Sequence, residues 1–365
     1  MGALLTSIGT ATGRPEDQLF QARDATRLSD GTVAVANGGT SEIRLFDSHG
    51  NFQRAIGRTG AGPGEFSRED GPGLRFLSHA RGDTLLAWDL YRQRLSVFSA
   101  NGDFIRSVRL RGRRRMYSLR GLFRDRSMLL ALTDPDVADR SSSSTNRQVV
   151  RLVRFDSRGD SAQLIGDFPG MEFYRTSTAG GPELQILPPW GRELYVAVAA
   201  ERVYVATGAS YEIAAYGGDG TLRQLIRKAH APLAVTDAVA SDLIDQTTAD
   251  LVARAPSSLQ KTLAPEVRRA LTGLRRPKTF PPYKGLVVDA ETNLWVREFT
   301  TSGDAPRTWS VFAADGRWLG TVTTPAGLQL LEIGSDYVLG RTVDALGVEH
   351  IEVYGLEKPR SRLQA

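Results

Sequence analysis

Four histidines, no cysteine and 41 carboxylates are the groups from which this chain would have to build a reactive centre. Without cysteine it forms no disulfide, no thiolate zinc site and no cysteine nucleophile. A metal site would then need histidines and carboxylates that converge. Read against the repeat described below, His49 and His79 fall in turns of one face, His230 in a connection of the other, and His350 at the start of an outer strand. No His-based metal site is therefore expected. No G-x-S-x-G elbow marks a serine nucleophile. Asp89, Asp289 and Glu298 could line the expected channel mouth, where a carboxylate serves as a general base or a calcium ligand, but each reads more readily as a strand-end or turn carboxylate. Asp89 and Asp289 are the weak metal candidates, and apart from that calcium alternative no cofactor is expected.

Basic and aromatic residues form a second set. Arg111-Gly112-Arg113-Arg114-Arg115-Met116-Tyr117 could neutralise phosphates and stack a base, or be a solvated loop. The loop reading is favoured because the whole chain is Arg-rich, with only five lysines (Lys228, Lys261, Lys278, Lys284 and Lys358) among 46 basic residues. Nucleic acid is thus the less favoured partner despite a net charge of +5. Phe173, Tyr174, Trp190 and Tyr283 fall in connections beside Arg175, Arg297 and Glu298, as a rim that binds peptide, sugar or protein would require. The candidate ligand-binding set is Arg115, Tyr117, Tyr174, Arg175, Trp190, Tyr283, Arg297 and Glu298. No residue is nominated as catalytic.

What positions these residues is a repeat. Ile43-Arg44-Leu45-Phe46-Asp47-Ser48-His49-Gly50-Asn51-Phe52 reads as an alternating strand, a Gly-centred turn and the start of another strand. The pattern returns at Phe98 with Gly102, Phe155 with Gly159, Tyr216 with Gly220 and Phe312 with Gly316, and ends at Tyr354 without its second strand. The six anchor aromatics lie 52, 57, 61, 96 and 42 residues apart, with two further strand candidates before each. Repeats of this length with four antiparallel strands predict a six-bladed β-propeller, all-β, as a single domain over residues 1–365. The truncated sixth copy predicts that Leu4 to Ile8 supplies the outer strand of blade six. The interval of 96 holds a helical insertion at about 236–274, between blades four and five. Its first helix is expected from Asp237 to Arg254, its second from Pro265 to Leu271, opened by Pro265 and closed by Gly273. The Ser-rich stretch from Ser141 to Asn146 is expected to be a hairpin tip.

Arg58-Thr59-Gly60-Ala61-Gly62-Pro63-Gly64-Glu65-Phe66 resembles the G-x-G-P-G-E-F connection of NHL-repeat propellers. Glu42 to Asp47, Asn293 to Arg297 and Asp344 to Glu349 are similar to bacterial six-bladed, NHL-like propellers. The connector occurs once here rather than in every blade. Members of that family are often exported, so the resemblance implies a periplasmic or exported protein. The N-terminus has neither the basic region nor the long apolar region of a signal peptide, which leaves a cytoplasmic protein or a removed targeting segment. Streptogramin lyases and zinc-dependent peptide-amidating lyases share the architecture but rely on channel-lining histidines.

No apolar stretch is long enough to span a bilayer. The expectation is a monomeric binding or scaffold propeller whose channel mouth takes a protein, peptide or small molecule. One alternative is a hydrolase or lyase using channel carboxylates and a divalent cation. The other is RNA binding through Arg113, Arg114 and Arg115.

Overall fold

The computed structural model describes residues 1–111, 116–133, 145–177, 183–253, 255–303 and 305–357. They form six antiparallel sheets and two α-helices, an all-β arrangement consistent with a propeller. In chain order, sheet 1 comprises Ala22–Arg27, Val33–Asn37, Glu42–Phe46 and Phe52–Ile56. Sheet 2 comprises Leu74–Ala80, Thr84–Asp89, Arg94–Phe98 and Phe104–Arg109. Sheet 4 comprises Tyr195–Ala199, Arg202–Ala206, Glu212–Gly217 and Leu222–Arg227, and sheet 5 comprises Tyr283–Val288, Leu294–Glu298, Arg307–Phe312 and Trp318–Thr324.

The repeat seen in the sequence is a specific backbone device. In each of the five complete copies the anchor aromatic ends or nearly ends the third strand, and the register to the fourth strand slips there, at Phe46, Phe98, Phe155, Tyr216 and Phe312. The following glycines, Gly50, Gly102, Gly159, Gly220 and Gly316, have φ of 88°, 85°, 89°, 79° and 85°. Left-handed backbone favours glycine, and a hairpin with a bulge requires it at that turn position. An aromatic followed by glycine at fixed offset is therefore the signature of one bulged hairpin used five times.

Sheet 6 is assembled from both ends of the chain. Gln329–Ile333, Tyr337–Val343 and Glu349–Gly355 take Leu4–Ile8 as their outer strand, with Leu4 opposite Tyr354 and Ile8 opposite Ile351. Each sheet then packs on the next. Ala34, Ile43 and Leu45 meet Leu85 and Phe98 between sheets 1 and 2, and similar clusters follow at every junction. The last one joins Ile351 and Val353 of sheet 6 to Val35 and Phe46 of sheet 1, with Ile8 filling the centre.

Sheet 3 departs from the expected four strands. Tyr117–Leu122, Met128–Thr133, Thr145–Phe155 and Ser161–Ser177 are joined by a fifth, Glu183–Ile186. The 17-residue fourth strand is the outer one of the four, and Glu183–Ile186 covers part of its free edge by pairing with Tyr174 to Ser177. Thr145 and Asn146 open a strand, while residues 141–144 of the Ser-rich stretch lie outside the described residues.

Helix α1 spans Asp237–Ala253 and α2 spans Ser257–Thr272, in the chain between sheets 4 and 5. The second helix begins eight residues before the position expected from the sequence. Pro256 is its N-cap residue, and Pro265 lies inside it. Gly273 closes it without a left-handed turn, at φ −76°, donating its N–H to the Arg269 carbonyl at 3.1 Å. The helices bury Ala240, Ile244, Val267 and Leu271 against Ile186, Trp190 and Phe280.

Candidate functional site

The inner strand of sheet 5 fixes one side of the site. Alternate side chains of a strand point to opposite faces. Tyr283 enters the core between sheets 4 and 5, where its hydroxyl donates to the Glu212 carbonyl and accepts from Gly208 N–H, both at 3.1 Å. Lys284, next along, lines a cavity of about 330 Å3 together with Arg297, Arg307 and, from α1, Leu243, Gln246 and Asp250. The Lys284 ammonium sits 5.4 Å from the centre of the Phe299 ring, which stacks on Phe280 at 4.7 Å. Arg297 donates to the Lys284 carbonyl, so the two cations are tied to one another through backbone. The loop from Phe299 to Gly303 supplies the outer wall.

Cations outnumber carboxylates on the walls of this cavity. Burial pushes the Lys284 ammonium below the ordinary lysine value, Glu193 opposes that, and the charges of Arg297 and Arg307 add to it. The Arg297 guanidinium is pushed down by burial and then by Arg307. Neither Lys284, Arg297 nor Arg307 makes an ion pair with a carboxylate among the described residues. Glu298 lines the cavity, and its Oε1 takes the hydrogen bonds of Lys228, Tyr211 and Ser310. Three cations therefore face one half-enclosed space whose walls also carry Asp250 and Glu298. Such a site attracts an anion, and Phe299 and Leu243 offer apolar surface beside it.

Of the residues expected at a ligand rim, the structure brings Arg297 and Glu298 together at this cavity. Tyr283 is fully buried, and Trp190, 4% exposed, packs on the helices with Tyr174 against it. Their rings fill junctions rather than line an opening. The Arg175 guanidinium lies 5.2 Å over the Phe173 ring. Tyr117 packs edge-on against Phe155 at 5.3 Å, in the core between sheets 2 and 3. Arg115, with Gly112 to Arg114, lies outside the described residues. Lys284 and Arg307 were missed. The signal for Lys284 was its place beside Tyr283, where strand alternation sends it to the opposite face.

The two metal candidates are turn acceptors. Asp89 is fully buried and takes N–H or O–H groups from Ser67, Tyr91 and Arg92. Asp289 accepts from Glu291, Asn293 and the Trp295 indole. Among the described residues no three His, Asp or Glu side chains are grouped to hold a metal ion. Two histidines stand elsewhere than expected: His79 is in the inner strand Leu74–Ala80 rather than in a turn, and His350 is in Glu349–Gly355, the third strand of sheet 6, rather than in an outer one.

No protein-family model matches the chain, and no curated protein matches it in sequence. Solved structures do. A member of the DUF4221 family from Bacteroides vulgatus is 10% identical, with 98% of this chain and 97% of that chain covered, at a TM-score of 0.54. The likeness is one of fold. A Bacteroides fragilis protein described as exported is 12% identical over 98% of this chain and 97% of that chain, at 0.48. Virginiamycin B lyase from Staphylococcus aureus is 8% identical over 92% and 95%, at 0.41. No helix among the described residues is long and apolar enough to cross a membrane.

Proposed function

We propose that the protein is a non-catalytic, ligand-binding six-bladed propeller of NHL-like kind, a single domain whose helical insertion between blades four and five helps to enclose the binding pocket. The ligand carries an anionic group, from a small molecule or an acidic peptide, and that group is held by Lys284, Arg297 and Arg307. The observation that carries this reading is the convergence of these three cations on one cavity with no carboxylate ion pair among the described residues. Cations desolvated together are stabilised by an arriving anion more than exposed ones are. The reading asks for no catalytic group and no cofactor. It places the protein outside the cytoplasm, in keeping with the exported-family resemblance.

Thermal unfolding with inorganic phosphate, against chloride at equal ionic strength, tests it. A ligand that binds only the folded state raises stability by RT ln(1 + [L]/Kd). The wild-type protein is expected to gain Tm with phosphate, and the Lys284→Ala/Arg307→Ala variant to lose that gain. Equal gains in both proteins refute the site.

A further inference from the structure

The opposite end of the channel holds a second, wider opening. Strand Tyr283–Val288 begins at the basic pocket with Lys284 and ends here with Val288. Two connected cavities of about 740 and 580 Å3 share His79, Val288, Asp289 and Ala290 on their walls. The turns between first and second strands of all six sheets contribute, from Leu28 in sheet 1 round to Gly334 in sheet 6.

At the seam of the two cavities stands His79, whose hydrogen bonds define its tautomer. Thr26 has one hydroxyl hydrogen and two neighbours for it, Glu332 Oε2 and His79 Nδ1, the latter at 2.7 Å. As a carboxylate Glu332 can only accept, so the Thr26 hydrogen goes to Glu332. The neutral His79 ring must then donate Nδ1–H to Thr26 Oγ1. Glu332 is held in turn by the Arg27 N–H at 3.2 Å and the Tyr337 hydroxyl, and its Oε2 lies 3.7 Å from Nδ1. What remains is Nε2, a free acceptor with no partner among the described residues, on a ring 33% exposed to the cavity. Around the larger cavity Arg81, Arg124 and Arg126 are exposed and make no ion pair among the described residues.

We propose that this mouth is a second ligand site, distinct from the basic pocket, that takes a hydroxycarboxylate. The ligand hydroxyl donates to His79 Nε2, and its carboxylate lies toward the Arg81, Arg124 and Arg126 rim. Thr26 and Glu332 act as positioning residues that hold the neutral ring in its Nδ1–H tautomer with Nε2 aimed into the cavity.

The test is a two-bond 1H–15N spectrum of the histidine rings at pH 8, with His79 assigned by the His79→Gln variant. The expected result is an Nδ1–H ring in the wild-type protein and loss of that fixed tautomer in Thr26→Val. Malate is expected to shift the His79 Nε2 resonance, and succinate, which lacks the hydroxyl, to shift it less than a third as far at the same concentration. Arg124→Ala/Arg126→Ala should weaken the malate response at least fivefold. Lys284→Ala/Arg307→Ala should leave it unchanged, which separates this site from the pocket on the other face. An Nε2–H ring, equal responses to malate and succinate, or no response to malate overturns the proposal.

Discussion

Lys228 donates to Glu298 Oε1 at 2.9 Å, and the same oxygen takes the hydroxyl hydrogens of Tyr211 at 2.8 Å and Ser310 at 2.6 Å. Glu298 thus reaches the basic pocket with its charge already matched from behind, and Lys284, Arg297 and Arg307 keep theirs for a ligand.

Glu298→Gln should destabilise the fold without abolishing anion binding. The change strips a half-buried Lys228 of its counter-charge, a loss of about 1–3 kcal/mol that urea unfolding would read. The Tyr211 hydroxyl, held above its ordinary value by burial and then by Glu298, should fall toward that value in the same variant. Retained phosphate stabilisation would place Glu298 in the scaffold, whereas its loss would place the carboxylate in the binding site.

Asp24 gives a pH dependence of definite sign. It stands half-buried in strand Ala22–Arg27, accepting N–H groups from Leu77 at 2.9 Å and Ala25 at 3.0 Å, and burial, with Glu332 adding a little, pushes it up to about 7. Between its unfolded value and about 7 the folded state binds the proton that the unfolded chain has released, so this residue makes stability fall as pH rises through that window. In a dry site the effect would approach roughly 4 kcal/mol, and solvent screening of a half-buried carboxylate brings it to about 1–2 kcal/mol. Asp24→Asn should flatten the unfolding free energy between pH 4.5 and 7.5 by that amount. A slope equal to that of the wild-type protein would contradict it.

The join between sheets 6 and 1 rests on Ile8 and Gly9. Ile8, 1% exposed, centres the core between sheets 6 and 1. Ile8→Ala should cost about 2–4 kcal/mol. Gly9 has φ +115°, and a Cβ there would stand 2.2 Å from the Glu349 carbonyl oxygen, so Gly9→Ala should also lower Tm. Substituting the exposed Leu5 by Ala is the control, with a change within about 0.5 kcal/mol.

The Gly-rich connector is held by a buried cation. Arg94, 2% exposed, donates to the carbonyls of Gly62 at 3.1 Å, Ala61 at 3.4 Å and Glu65. Arg94→Met should cost about 2–4 kcal/mol by leaving those carbonyls unpaired. Amide hydrogen exchange at residues 58–66 should accelerate more than in sheets 3 and 4, and uniform acceleration would count against a local role.

What the sequence revealed follows from how local each device is. The bulged hairpin needs its glycine within four residues of the aromatic, so Phe46 with Gly50 and its four later counterparts are readable by eye. The outer strand Leu4–Ile8 was legible because the sixth copy lacks a partner. The fifth strand of sheet 3 was not, since Glu183–Ile186 is recruited by an edge that exists only once the 17-residue strand has formed. The start of α2 was hidden because Pro265, read as its opening residue, lies inside the helix, which begins at Ser257 after Pro256. The basic pocket was half legible. Arg297 and Glu298 were visible at a strand end, but Arg307 reaches the cavity from another strand and α1 closes it from an insertion. His79 was misplaced by one element boundary, which moved it from a turn into the inner strand lining the channel.

The junction of the two chain ends has a mechanical consequence. Leu4 sits opposite Tyr354, and Gly2 N–H donates to the Gly355 carbonyl at 2.7 Å, so the free end of each strand lies at the same corner of sheet 6. Tension applied through the termini would load these hydrogen bonds one after another, like a zip, rather than all at once in shear. The pairing of Leu4–Ile8 with Glu349–Gly355 is therefore where a pulling force would open the fold first, at a rate set by the barrier to unpeeling rather than by the depth of the core beneath.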